Sequence, residues 1–200
     1  MRPKGSKKNG IKYLSESELA AFMKAVRKNR RDRFLISLIL FVGARVSEIS
    51  QLRLKDVNEQ SFQILIQGKK GGTSRHYTLS GRLWKKYLGW MRERAKMGHA
   101  AMNPYLFITK YSMHDMPIAE QTVKNAFKKY AVAAGLDKSF SVHSLRHTCA
   151  VIRIAEGTPV VFVQKWLRHK SINSTMVYAD IASPELKRDE FSKGFNLTAL

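Results

Sequence analysis

The sequence predicts a mainly α-helical α+β domain that carries one small antiparallel sheet. Three observations point there. Apolar residues recur at helical spacing along most of the chain, as in Leu19, Phe22, Ala25 and Val26 and again in Val123, Ala126, Phe127, Tyr130 and Ala131. Only "FQILIQ" (62–67) and "RHYTLS" (75–80) read as clear strands, and the glycine-rich "GKKGGTS" between them makes a hairpin. Finally, 200 residues with 44% hydrophobic content and ten Phe suffice for one domain with a substantial core.

Residues 1–12 hold Arg2, Lys4, Lys7, Lys8 and Lys12 among Pro3, Gly5 and Gly10, without apolar periodicity, which predicts a flexible basic arm. The domain proper begins at residue 13. Ser15 and Glu18 form a capping box, with Leu14 and Leu19 in staple positions, so a helix starts there. The run from Phe34 to Val42 is apolar on nearly every side and therefore a core helix. It ends at Gly43, and "VSEISQLRL" follows as a short second helix. After the hairpin, Leu83, Trp84, Tyr87, Leu88 and Met91 mark an amphipathic helix. Residues 98–118 form a long connection with a short strand at "YLFIT". Helix returns over 120–134, stopped by Gly135, and again over 144–155. Thr158 and Pro159 open another helix as N-cap and first residue. A tail helix is expected over about 184–196.

The net charge of +21 calls for a polyanionic partner, and nucleic acid is the default. The basic residues are spread along the chain rather than gathered beside an amphipathic or lipidated anchor, which argues against a membrane partner. One cysteine, Cys149, excludes an intramolecular disulfide and a paired-cysteine zinc motif; its apolar helical setting reads as a buried, inert thiol. "MRPKGSKKNG" has no apolar stretch behind its charge, and "FLISLILFVGA" is too short to span a bilayer, so the chain reads as cytoplasmic.

Within "SVHSLRHTCA" (141–150), His143 and His147 stand at i and i+4, a spacing that chelates zinc from one helix face. The glutamate of that motif is missing and Arg146 places a fixed cation inside the site, so metal binding is not expected. A phosphate site accounts for more residues. Arg146 offers a planar fork matching two phosphate oxygens, with His143 one turn earlier on the same face. Arg45 follows the helix break at Gly43, and Glu48 either holds its guanidinium or forms a plain structural ion pair with it. Lys69 and Lys70 occupy the hairpin tip, where lysines are otherwise a solvated loop. His169 and Tyr178 complete the set. A phenol of pKa about 10 acts as a nucleophile near neutrality only with cations and a base around it.

The ordered series "GARVSE" (43–48), a lysine-bearing hairpin, "HSLRH" (143–147), "LRH" (167–169) and "VYAD" (177–180) resembles the tyrosine recombinase/integrase family, whose pattern is Arg, Lys, His-x-x-Arg, His or Trp, then Tyr. The resemblance covers nearly everything from residue 13 onward and implies a tyrosine recombinase catalytic domain over 13–200. Most members carry a separate N-terminal core-binding domain, where this chain has only the basic arm. In size it is similar to short recombinases that invert fimbrial promoter segments and to an isolated catalytic domain. Lys70, five residues before Arg75, fits the family spacing better than Lys69, which fits its "GK" form.

The resemblance implies that Tyr178 attacks a DNA phosphodiester to form a 3′-phosphotyrosyl link. Arg45 and Arg146 would clamp the non-bridging oxygens, His143 would help deprotonate the tyrosine, His169 would bond a phosphate oxygen and Lys70 would protonate the leaving 5′-oxygen. Glu48 would support Arg45, and His147 is read as structural. No metal, cofactor or ATP is implied. The implied partners are double-stranded DNA with inverted-repeat half-sites, further copies of the chain in a tetramer with an exchanged C-terminal segment, and accessory DNA-bending proteins at the nucleoid. The outcome would be integration, excision or inversion. A type IB topoisomerase-like relaxing enzyme and a catalytically silent DNA-binding regulator are the alternative readings.

Overall fold

Ser15 opens the first helix: its hydroxyl accepts from the Glu18 amide at 3.4 Å, while the Glu18 carboxylate accepts from the Ser15 amide at 2.9 Å. This capping box starts α1, Glu16–Val26, with Leu14 and Leu19 fully buried beside it. The computed structural model describes residues 7–8, 10–68, 73–112 and 115–181. Before α1, β1 (Lys7–Lys8) pairs antiparallel with β2 (Ile11–Lys12) across a turn in which Gly10 has φ +77°. The expected flexible arm is thus paired in its described part, because Ile11 gives it an apolar side chain to lay against the core.

Helix α2, Arg30–Val42, is buried at every residue from Phe34 to Val42. At roughly 1.5–3 kcal/mol for each large apolar side chain, this segment contributes more to the core than any amphipathic helix of its length. Gly43 ends it with φ +64°, and a Cβ there would overlap the Leu167 side chain. Helix α3 then runs from Val46 to Ser50, shorter than the sequence suggested, and a 3-10 turn at Leu54–Asp56 leads into the sheet. Strands β3 (Val57–Asn58), β4 (Gln63–Ile66) and β5 (Arg75–Thr78) pair in that order, all antiparallel. Ile64, Ile66 and Tyr77 face the core from the expected hairpin; β3 was not foreseen.

Helix α4, Gly81–Ala95, buries Leu83, Tyr87 and Trp90, whereas Leu88, expected inside, is exposed. "YLFIT" is not a strand. Leu106, Phe107 and Ile108 are fully buried, but a single bridge from Arg53 to Tyr105 is the segment's only ladder pairing among the described residues. Two of its carbonyls are taken by side chains, with Trp90 Nε1 donating to Leu106 at 2.9 Å and Arg94 Nη2 to Tyr105 at 2.9 Å, and the Phe107 carbonyl accepts from the Ile118 amide at 3.0 Å.

Helices α5 (Glu120–Ala133), α6 (Val142–Ala155), α7 (Val160–Leu167) and α8 (Asn173–Ile181) follow. Gly135 has φ +69° just past α5, as its stop position requires. Pro159 occupies the cap of α7, one residue before the expected place. The expected tail helix lies outside the described residues, and α8 is a helix the periodicity did not announce. α2 packs between α4 and α6, and α6 in turn contacts α5, α7 and α8. No described helix is long and apolar enough to cross a membrane.

Candidate active site

Four chain segments converge at the C-terminal end of α2. The left-handed turn at Gly43 sends the chain sharply into α3 and places Arg45 at its N-cap, with φ −75° and ψ 151°. Helix α6 supplies His143, Arg146 and His147 within little more than one turn. Arg168 caps α7 in the left-handed region at φ +57° and delivers His169, and α8 brings Tyr178.

The arginines differ in their surroundings. Arg146 is 1% exposed, and its two terminal nitrogens donate to the carbonyls of Gly43 and, at 2.7 Å, Leu167. These bonds fix the plane of the guanidinium. Burial first, then the charge of Arg45, draw its pKa to about 10, opposed by Glu48, so it remains a cation at neutral pH. Arg45 keeps half of its side chain exposed. Glu48 is buried and accepts from the Arg45 amide at 2.8 Å, from Arg45 Nη1 at 3.2 Å and from Arg168 Nη2 at 2.6 Å. Two guanidiniums thus share one carboxylate beside the buried cation of Arg146, an excess of positive charge suited to an anion. Arg168 Nη1 also donates to the Tyr77 hydroxyl, and its buried Nε has no partner among the described residues.

The tyrosine sits among histidines. Tyr178 is 3% exposed and its hydroxyl lies 2.8 Å from His147 Nδ1. Burial raises the phenol's pKa, with Cys149 adding to the rise and Arg146 opposing it. For His147, burial first and then His143 and Arg146 lower the pKa to about 4, so the ring is neutral at pH 7. With its proton on Nε2, Nδ1 accepts from the phenol. His169 is held at about 3 by burial and then by Arg146 and Arg45; its Nδ1 lies 2.8 Å from the hydroxyl of the fully buried Thr175. His143 is exposed, with its pKa lowered by desolvation on its packed side, then by Arg146 and Arg45.

The structure places the two histidines of this helix differently from the sequence expectation. His147, read as structural, is the histidine at the tyrosine; His143, expected there, faces outward beside Arg45. A concavity of about 430 Å³ opens from Arg45 and His143 towards Gln121, Lys124 and Lys128 of α5. Lys69 and Lys70 lie outside the described residues. The base of their loop is described: the Gly68 amide donates to Ser74 Oγ at 3.1 Å, and Thr73, Ser74 and Arg75 border a cavity shared with Arg168 and His169. Tyr77 anchors the hairpin there through a 2.5 Å bond to the Trp166 carbonyl. Among the described residues, no three His, Cys, Asp or Glu side chains gather into a metal-binding group. Arg168 and Thr175 escaped sequence reasoning. The repeated Leu-Arg-His in "HSLRH" and "WLRHK" was the available hint for both Arg168 and His147.

The sequence model of the phage integrase family matches residues 12–184. Tyrosine recombinase XerA of Pyrococcus furiosus is 28% identical over 177 residues, which are 88% of this chain and 59% of the relative. XerA of Pyrococcus horikoshii is 30% identical over 176 residues, 88% of this chain and 59% of the relative. The chain thus spans about 59% of the length of these relatives. The crystal structure of XerA recombinase superposes with a TM-score of 0.77 at 25% identity, covering 97% of this chain and 68% of that one. That of XerH site-specific recombinase bound to palindromic difH substrate, a post-cleavage complex, gives 0.75 at 24% identity and shares the fold over 92% of this chain and 55% of that one.

Proposed function

The chain belongs to the phage integrase family, and from that premise we propose that it is a site-specific recombinase that cleaves and rejoins DNA through a covalent bond to Tyr178. The observation that carries the reading is the contact between the Tyr178 hydroxyl and a neutral His147, set beside Arg146, Arg45 and His169. A structural tyrosine would need neither an adjacent neutral base nor a cluster of three arginines that shares a single carboxylate.

In the proposed reaction the phenol oxygen attacks the scissile phosphorus and the bond to the 5′-oxygen breaks. The phenol's proton passes to His147 Nδ1, and Lys70, or Lys69 in its place, supplies the proton that the 5′-oxygen takes up. Arg45 and the fixed fork of Arg146 hold the non-bridging oxygens, whose charge grows in the transition state. His143, exposed beside Arg45, contacts the phosphate from the open side, and His169 bonds an oxygen from the other. Because Tyr178 is buried, attack follows a shift of α8 that turns the phenol towards the phosphate. Rejoining is the reverse step, with a 5′-hydroxyl from the partner strand, and it conserves the phosphodiester energy.

The working unit is proposed to be a tetramer on paired inverted-repeat half-sites of double-stranded DNA, at the nucleoid, with accessory DNA-bending proteins where the sites require them. Exposed Val161 and Phe162 on α7 and Met176 on α8 support assembly between copies beside the tyrosine helix. The test is a denaturing gel of the protein with nicked duplexes carrying inverted repeats, in the presence of EDTA. A protein–DNA band that disappears in Tyr178→Phe, with DNA affinity within about threefold of the parent, is the expected result. Adduct formation by Tyr178→Phe would overturn the assignment of the nucleophile.

A further inference from the structure

A larger concavity, about 920 Å³, lies away from this site, between α1, the start of α2 and α4. Nine of its eleven lining residues are Lys or Arg, and none is acidic. Helix α4 supplies Arg82, Lys85, Lys86 and Arg92 at helical spacing along one face. Arg27 closes the groove from the end of α1 and Arg33 from α2. Gly89 lies among these cations, where a Cβ would make only ordinary contact with Arg30 Nη1, at 3.9 Å.

Lys86 Nζ donates to Ser37 Oγ at 2.9 Å, and burial, followed by the charges of Arg33 and Arg82, lowers its pKa to about 8. A carboxylate at the rim, Glu93, lies 3.5 Å from Arg30 and 3.1 Å from Lys96. A groove lined by nine cations and no acidic residue is stabilised by a bound polyanion. The stripe from Arg82 to Arg92, ten steps along the helix, is about 15 Å long at 1.5 Å per residue. Laid parallel to the duplex axis, that length spans roughly four phosphates of one strand, at about 3.4 Å of axis each. Arg33, the lining residue of α2 nearest Gly43, stands about 15 Å before it along the helix, so a phosphate held in this groove is not the one cleaved.

We propose that the α1–α2–α4 groove is a second, non-catalytic DNA site that grips the backbone of duplex away from the scissile phosphate. The proposal rests on the DNA reading above and adds a surface to it. It assigns a share of the chain's charge to anchoring.

The experiment is a salt series of binding isotherms for the full chain with a 40-base-pair and a 10-base-pair duplex. Arg27→Glu with Lys85→Glu is compared with Lys110→Glu with Lys138→Glu, four exposed positions giving the same change in net charge. The groove pair is expected to lose about tenfold more affinity for the long duplex than the control pair. Its log–log salt slope should fall by about two, at roughly 0.9 for each phosphate no longer neutralised. On the short duplex the two pairs are expected to be alike. The milder Arg27→Gln with Lys85→Gln should show the same order with a smaller loss. Equal losses for both pairs on the long duplex would overturn the proposal while leaving the tyrosine chemistry standing, since the nicked-duplex adduct of the parent chain is read separately. Displacement of tripolyphosphate, but not of duplex, by the groove substitutions would overturn it in favour of a small polyphosphate ligand. A parent chain that binds neither duplex would remove the DNA reading itself.

Discussion

His147 Nδ1 stands 2.8 Å from the hydroxyl of Tyr178, while the ring of His143, one helical turn earlier, meets His147 edge-on at 4.6 Å and faces solvent. On the proposed reading, the proton acceptor for the phenol is the histidine that follows Arg146, because it is the one in contact with the hydroxyl. His147→Ala is expected to slow covalent adduct formation by about a hundredfold or more, with DNA affinity changed by less than about threefold. Single-turnover kinetics on a nicked duplex at saturating protein measure this. Because the ring titrates near 4, the rate should hold down to about pH 5. A parental rate in His147→Ala would reduce the contact to packing.

The same histidines predict how stability depends on pH. His143, His147 and His169 all resist protonation in the folded chain. Once unfolded they bind protons below about pH 6.5, so the unfolded state carries more protons between about 4 and 6.5. Stability is fully present above that window and is lost as the pH falls through it. The melting temperature should drop on the order of 5 °C from pH 7 to pH 5. In His147→Gln the drop should be smaller, and an unchanged drop would show that His147 already protonates in the folded state.

Local rules carried much of this into view. Ser15 with Glu18, and the apolar run from Phe34 to Val42, are decided within one or two turns of chain, and both appear where periodicity and capping place them. "YLFIT" failed because Trp90 and Arg94, more than ten residues away, take the bonds a strand would have used. Arg45, His143, Arg146, His169 and Tyr178 do come together. Which histidine meets the tyrosine depends on how α8 packs against α6, a contact spanning 31 residues that no local pattern encodes. Arg168 was hidden for the same reason: its partner Glu48 is 120 residues distant. A non-glycine residue in the left-handed region costs about 1–2 kcal/mol, which its bonds to Glu48 and Tyr77 offset.

Gly43 is where the core and the site meet. Its φ of +64° and the nearness of Leu167 and of Cys149 Sγ leave no room for a side chain, and its carbonyl holds Arg146. Gly43→Ala should destabilise the chain by about 2 kcal/mol or more, through backbone strain together with overpacking. Adding Leu167→Ala should not restore it, because the φ cost remains. Urea unfolding decides this, and a loss below about 0.5 kcal/mol would mean that the turn adopts another conformation freely.

Glu48 serves two arginines that should respond oppositely. Its partner Arg168 has a side chain only 2% exposed, so Glu48→Gln leaves a buried cation uncompensated and should cost about 3–5 kcal/mol of stability. Arg45 is half-exposed, and an ion pair at such a position is worth less than about 1 kcal/mol, so Arg45→Ala should barely move the unfolding midpoint. Its effect should appear in the chemistry instead, as an adduct rate lowered by about a hundredfold or more, because a phosphate clamp acts chiefly in the transition state. Measuring unfolding free energy and adduct rate on both variants separates the two arms of the cluster. If Arg45→Ala lost as much stability as Glu48→Gln while reacting at the parental rate, Arg45 would be a structural ion pair and the phosphate clamp would have to be rebuilt around Arg146 alone.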